Sequence, residues 1–276
     1  MLVDTILESL GPGQLVLDLG CGKGSFRYSH YNCRILAIDV TFDSPPSHSP
    51  DRIFYAHGDS EALPLASGTV DFAVCNHSLE HVSRIRETLA ELARVLKPNG
   101  LLWISVPNGF GFDDGLYRFL YDGGGHVNRF SFADLKNAVE SNGLCLLQFN
   151  TLTSSFIYCN RPDDIAWRYL PRRSKLLHTV GVLRPFGLML NAATRLLDRS
   201  FHTSFSQYGW GFLFSKSQAT AHFELPSYFN VCAHCGSGHP IHTLRQGAYR
   251  RWALELYRCP RCNKVNLLFD PPAGFS

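Results

Sequence analysis

Four groups of residues in the 276-residue chain have types and spacings that suit chemistry. The first is Gly20, Gly22 and Gly24, which close the apolar run Val16-Leu17-Asp18-Leu19 and alternate with Cys21 and Lys23. Residues without a Cβ let a backbone turn tightly and touch a ligand, and a helix opening just after such a turn points its unbonded N–H groups there. The second is a series of carboxylates, Asp18, Asp39 and Asp59, which accept hydrogen bonds from hydroxyl and amino groups. The third is three histidines, His77, His81 and His126, whose side chains can take a proton near neutral pH. The fourth is Cys232, Cys235, Cys259 and Cys262, two Cys-x-x-Cys pairs separated by 23 residues. Each pair can place two thiolates on a tight knuckle, and the two together complete a closed, structural zinc site of four cysteine ligands.

A dinucleotide fingerprint would need glycine at position 25, where the chain has Ser25. The pattern Gly20-x-Gly22-x-Gly24, with Asp18 two residues before it, instead resembles motif I of the class I S-adenosylmethionine-dependent methyltransferases of type 11. Three further segments follow in the order of that family: Arg34–Asp39, Gly58–Leu65 and Val70–Val82. The resemblance, over residues 14 to 150, implies S-adenosylmethionine as cofactor. Asp39 would accept from the ribose hydroxyls, Asp59 from the adenine amino group, and the Ser60 N–H would donate to the ring. Asp18, Gly20, Cys21, Gly22 and Gly24 of the turn and Asn76 at the end of the fourth strand complete the cofactor-binding set. His81, in Leu-Glu-His-Val, resembles a recurrent helix-start sequence of the family and reads as packing. His77 and His126 are the candidate catalytic bases, with His126 preferred because it follows Gly123-Gly124-Gly125, a hinge that would carry it over an acceptor.

These residues need an α/β scaffold, a Rossmann-like sheet of seven mostly parallel strands with an antiparallel last strand. Residues 2–10 read as a short helix stopped by Gly11-Pro12-Gly13, and a helix is expected from Gly24 to Tyr31. Strands are expected at Val16–Leu19, Arg34–Asp39, Ile53–His57, Val70–Cys75, Leu101–Val106, Leu144–Thr151 and Tyr208–Phe214. Between Thr41 and Pro50 the prolines leave no room for a full crossover helix. Ile85, Leu89, Leu92 and Leu96 recur on one face of a helix over Arg84–Lys97, ended by Pro98-Asn99-Gly100. Gly109–Phe130 reads as a long loop, and Ser131 with Asp134 opens a capped helix.

An insertion at about 160–205 separates the last two strands of a methyltransferase domain spanning 1–218. Pro171 and Pro185 open its two helices, and Phe186, Met189, Leu190, Ala193 and Leu197 line one face of the second. That face reads as packing over the sheet edge, or as a lid or surface for an apolar substrate or a membrane interface. The zinc-ribbon-like module at 228–270 carries four net positive charges, about two of which four thiolates on a divalent ion would cancel.

The composition, 45% hydrophobic and 18% charged with a net charge of +3, is that of an ordinary globular protein and argues for neither nucleic acid nor membrane alone. No apolar run reaches a bilayer's thickness and Met1–Asp4 does not open a signal peptide, so the expectation is a cytoplasmic protein with peripheral membrane contact at most. The functional reading is methyl transfer to a small-molecule or lipid- or sugar-linked acceptor. RNA methylation with the ribbon holding RNA, and cofactor binding without turnover, stay open as alternatives. No Asn-Pro-Pro-Tyr-like sequence follows the fourth strand and no Pro-Cys occurs, which disfavours methylation of base amino groups and covalent attack on pyrimidines.

Overall fold

A computed structural model describes residues 3–41, 50–160, 167–168, 170–217, 223, 225–273 and 275. The expected prolyl connection at 42–49, part of the insertion at 161–166 and the 218–222 linker lie outside these residues. The chain divides into two compact units. One comprises Met1–Pro107, Val127–Asn150 and Trp210–Leu225; the other comprises Asn108–His126, Thr151–Gly209 and Pro226–Ser276.

The first unit is built on the seven-stranded sheet, with strand order β3-β2-β1-β4-β5-β7-β6 and an antiparallel strand toward its end. The strands are β1 (Leu15–Leu19), β2 (Arg34–Asp39), β3 (Ile53–His57), β4 (Val70–Asn76), β5 (Leu96–Pro107), β6 (Cys145–Thr153) and β7 (Gln207–Ser215). Central strand β1 pairs in parallel with β2 and β4, setting Leu17 beside Leu36 on one side and Ala73 on the other. Alternate side chains serve opposite faces of a pleated strand. Leu17, Leu19, Ile38, Ala73 and Cys75 therefore join one core, while Val16, Ile35, Ala37, Phe72 and Val74 join another. Helix α2 (Ile85–Val95) buries Leu89 and Leu92 in the first core, as its periodicity requires.

Two expectations in this unit are corrected. The segment after the glycine turn forms no α-helix: it makes a single 3-10 turn at Tyr28–His30. Asp18 captures the Ser25 N–H and hydroxyl and the Tyr28 hydroxyl, holding the segment in a turn, and Phe26, Tyr28 and Tyr31 cover the face with edge-on ring contacts 4.9 and 5.7 Å apart. Short α1 (Asp4–Ser9) adds Ile6 and Leu7 to the same core. Second, Lys97-Pro98-Asn99-Gly100 does not cap α2 but begins β5. The backbone turns extended at Leu96, and Lys97 anchors on the Asp71 carboxylate at 2.8 Å. Helix α4 (Phe132–Glu140) starts as expected, with the Ser131 hydroxyl accepting the Asp134 N–H.

In the second unit the expected loop after Pro107 contains helix α3 (Phe112–Tyr121). Leu116 and Leu120 are helix-spaced, and both meet Phe156, Cys159, Leu183 and Leu190 in one apolar cluster. The insertion supplies α5 (Arg172–Thr179) and α6 (Leu183–Phe201), each opening beside its expected proline. The buried face of α6 is not the one read from the sequence. Of the residues expected on it, Leu190 is buried but Phe186, Met189 and Leu197 are exposed, and Leu183, Gly187, Asn191, Thr194, Arg195 and Asp198 join Leu190 on the buried side. A Cβ on Gly187 would stand 2.6 Å from the Cys159 Cβ, so helix and preceding turn touch where only glycine fits. The Arg195 guanidinium, 1% exposed, donates to the carbonyls of Phe229, Asn191 and Ser154 and so ties the insertion to the start of the C-terminal module. That module holds α7 (Ile241–Gln246) and an antiparallel sheet of β8 (Tyr249–Arg251), β9 (Leu254–Arg258) and β10 (Val265–Leu267).

Candidate cofactor cavity and cysteine centre

A cavity of about 540 Å³ lies beyond the carboxyl ends of β1 to β4, where the crevice of a parallel sheet receives its ligand. Gly20, Asp39, Asp59, Ser60 and His77 line it, as does His81. Asp18, Cys21, Gly22, Gly24, Asn76 and His126 are not among its lining residues.

The glycine turn is a ribbon laid against β2 in a conformation that suits glycine. Gly20, Gly22 and Gly24 all have positive φ, and the Gly20 and Cys21 N–H groups donate to the Ile38 carbonyl. A Cβ on Gly20 would lie 2.4 Å from the Ser78 Cβ, so the turn approaches the end of β4 more closely than any side chain permits. Asp18 holds this ribbon from below. It is fully buried, and its carboxylate is occupied by Ser25 and Tyr28. Burial pushes its carboxyl above the usual range, against those hydrogen bonds.

Asp39 binds the ribbon from the other side. Its Oδ2 accepts the Gly22 N–H and its Oδ1 accepts the Thr41 N–H and hydroxyl, each at 2.8 Å. Burial opposes the charge, but these donors outweigh it and hold the carboxyl below its usual range. An ionised carboxylate offers about four lone-pair sites, so capacity is left on Oδ2 for a ligand hydroxyl. Asp59 accepts the Glu61 N–H at 3.1 Å, and the Ser60 hydroxyl lies 2.9 Å from that of Thr88. Asp59 is thus held by its own turn and Ser60 by helix α2.

His77 adopts φ of 52°, a left-handed conformation that costs a non-glycine residue about 1 kcal/mol or more. Its N–H donates to the Ser105 carbonyl, and its Nδ1 lies 3.4 Å from a carboxylate oxygen of buried Glu80. A carboxylate against one imidazole nitrogen orients the ring. The sequence reading missed two contributors to this wall. Glu80 sits three residues beyond His77, a spacing that could have signalled the pair. Asn128 donates through Nδ2 to the carbonyls of Leu79 and Val82, pinning the turn that carries lining residues; nothing in its local sequence announces this.

His126 is placed otherwise than as a residue on a swinging hinge. Its Nδ1 is 3.0 Å from Asp114 Oδ1, its ring stacks on Tyr117 at 5.0 Å, and its carbonyl accepts from Arg118. Gly123, Gly124 and Gly125 all take positive φ to turn the chain out of α3, and a Cβ on Gly124 would overlap the Tyr117 ring. The glycines here meet a demand of the backbone path.

In the second unit the four cysteines converge. Their Sγ atoms all lie within 4.8 Å of one another, with Cys232–Cys262 at 3.6 Å and Cys235–Cys259 at 3.7 Å. Zinc–sulfur bonds of about 2.3 Å in a tetrahedron require edges of roughly 3.8 Å, so the sulfurs stand where one such ion would hold them. The His234 N–H and the Asn266 amide each donate to Cys232 Sγ at 3.4 Å. Burial works against a thiolate at Cys259, but hydrogen bonds led by the Ser237 hydroxyl outweigh it and lower the thiol to about 6. The donor set fits a structural zinc of four thiolates.

Comparison with known proteins agrees with the first unit's architecture. Residues 17–104, less than half of the chain, match the methyltransferase domain family. Among solved structures, a candidate methyltransferase from Bacillus halodurans superposes with a TM-score of 0.53 at 17% identity, covering 79% of this chain and 99% of that one. The fold is thus that of the class I methyltransferases. The biotin biosynthesis bifunctional protein BioHC of Cellvibrio japonicus is 32% identical over 56% of this chain and 33% of its own length. The demethylmenaquinone methyltransferase of Renibacterium salmoninarum is 33% identical over 36% of this chain and 45% of its own. The chain therefore spans less than half the length of these curated relatives.

Proposed function

We propose that the protein transfers a methyl group from S-adenosylmethionine to a small-molecule or lipid- or sugar-linked acceptor. The observation that carries this reading is the cavity at the ends of β1 to β4, which gathers Gly20, Asp39, Asp59 and Ser60 on one wall. Asp39, kept ionised, would accept from ribose hydroxyls, Asp59 from the adenine amino group, and the Ser60 N–H would donate to the ring. Gly22, Gly24 and Cys21 supply the ribbon that Asp39 and Ile38 hold, and Asn76, bonded to the Ser105 hydroxyl, ends the strand beside it. The sulfonium, when bound, supplies an activated methyl group; this chain's task is to align the acceptor and exclude water. His77, oriented by Glu80, is positioned to take the acceptor's proton where one must leave; His126, locked by Asp114, is the second candidate base. The relatives' printed names, one a biotin-pathway protein and one a methyltransferase of demethylmenaquinone, support an acceptor of this size and character. Cys232, Cys235, Cys259 and Cys262 would hold a structural zinc within a ribbon-like module at 228–270, beside a methyltransferase domain at 1–218.

The test follows labelled methyl groups from S-adenosylmethionine into fractionated cell extract. Label entering the lipid, polysaccharide or small-molecule fraction, and reduced by roughly a hundredfold in His77→Ala, is expected. Label entering RNA alone would replace the acceptor class, and no incorporation in any fraction would leave a cofactor-binding protein.

A further inference from the structure

The connection from β3 to β4, residues 58–69, runs through turns and bends, and its first residues, Gly58, Asp59, Ser60 and Glu61, wall the candidate cofactor cavity. Irregular backbone has to satisfy its polar groups outside a helix or a strand ladder. Here a stripe of side chains on α2 does so. Arg84, just before the helix, and Thr88, Glu91 and Arg94 within it are spaced by four, three and three residues, so they fall on one side.

Each member of the stripe takes a different part of the connection. An Arg84 nitrogen lies 3.1 Å from a Glu61 carboxylate oxygen, and the buried Thr88 hydroxyl meets that of Ser60. Glu91 Oε2 accepts the Leu63 N–H at 2.7 Å. Arg94 donates to the carbonyls of Leu65 and Leu63 at 2.7 and 3.2 Å, and closes a fork on both oxygens of Glu91 at 2.6 and 2.8 Å. One ion pair therefore takes both backbone polar groups of Leu63, and Arg94 holds the Glu91 carboxyl below its usual range. Neither Glu91 nor Arg94 lines the cavity. The Leu63 side chain is buried in the core and Leu65 packs against it, so apolar burial docks the connection while the ion pair sets the path of its backbone.

We propose that Glu91 and Arg94 are positioning residues for the adenine half of the cofactor. They hold residues 58–65 so that the Asp59 carboxylate and the Ser60 N–H occupy fixed places on the cavity wall before the ligand arrives. The inference rests on the reading of Asp59 and Ser60 as adenine contacts, and extends it to two residues outside the cavity. A wall ordered in advance spares the ligand the cost of ordering it, so loosening that wall lowers affinity without deleting a ligand contact. The bonds at stake are charge-assisted. Loss of the Arg94 side chain takes a donor each from the carbonyls of Leu63 and Leu65 and leaves Glu91 without its counter-charge.

The experiment titrates the full-length, zinc-loaded protein with S-adenosylmethionine by calorimetry and measures how well adenosine competes for the site. Arg94→Ala is expected to weaken both ligands by about tenfold, because the adenosine half carries the whole effect. Glu91→Gln keeps an oxygen for the Leu63 N–H but loses the charge, and about a threefold loss is expected. Lys136→Ala removes a comparably exposed ion pair, with Glu140 on α4, and should leave affinity unchanged. Amide hydrogen exchange of the ligand-free protein should quicken over residues 58–67 in Arg94→Ala, a readout of the loosened wall. Melting curves show whether each variant is folded at the titration temperature, and where Arg94→Ala is not, Glu91→Gln decides. Absence of S-adenosylmethionine binding in the wild type overturns the cofactor reading itself. Wild-type affinity in the folded variants overturns the positioning role alone, as does a loss of S-adenosylmethionine with adenosine binding intact, or a loss without faster exchange over residues 58–67.

Discussion

Three aspartates that are alike in the sequence do different work. Asp18, sealed under the glycine ribbon, is spent on Ser25 and Tyr28; Asp39 is partly buried, ionised and retains acceptor capacity; Asp114 is buried beside Arg118 and His126. At Asp114 burial opposes the charge, but His126 and Arg118 outweigh it and hold the carboxyl below its ordinary value of 3.8. A carboxyl lowered on folding stabilises fully above its unfolded pKa of about 3.9 and loses that contribution as pH falls through the lower folded value. Wild type should therefore outlast Asp114→Asn in urea at neutral pH, with the gap closing below about pH 4. A gap that ignores pH would mean packing alone holds His126 in place.

At the scale of elements, period-2 and buried apolar runs made the strands legible: β2 and β3 have the expected bounds, and the order of glycines and carboxylates marked their carboxyl ends. What escaped the sequence was tertiary in origin. The turn after Gly24 looks helical until Asp18, seven residues back, is seen to take the Ser25 N–H, and α3 looked like loop because its Leu116 and Leu120 lie among glycines and aspartates. The α6 face was misread because both of its sides are rich in apolar residues and only packing against Phe156 and Cys159 chooses between them. The meeting of Cys232, Cys235, Cys259 and Cys262 was legible as well, since two Cys-x-x-Cys pairs leave few other arrangements. Small modules draw folding energy from their metal, about 10 kcal/mol or more for structural zinc. Purified protein should carry about one zinc per chain, and Cys259→Ser should lose it and abolish the protease resistance of residues 228–270. Zinc-free protein with that resistance intact would refute the metal's role.

For the whole molecule, the first unit alone contains every residue that lines the candidate cofactor cavity. The second unit has its own apolar clusters, a buried Arg195 clasp and the cysteine centre. Removing the Arg195 side chain would take one donor each from the carbonyls of Phe229, Asn191 and Ser154. The central claim concerns the first unit, and calorimetric titration with S-adenosylmethionine tests it most directly. Loss of Asp39 removes charge-assisted hydrogen bonds worth about 1.5–3 kcal/mol each and frees the Gly22 N–H from its anchor. The account predicts one site per chain in the wild type and at least about tenfold weaker binding in Asp39→Ala, with the melting profile of the second unit unchanged. Absence of binding in the wild type, or equal affinity in Asp39→Ala, would contradict it.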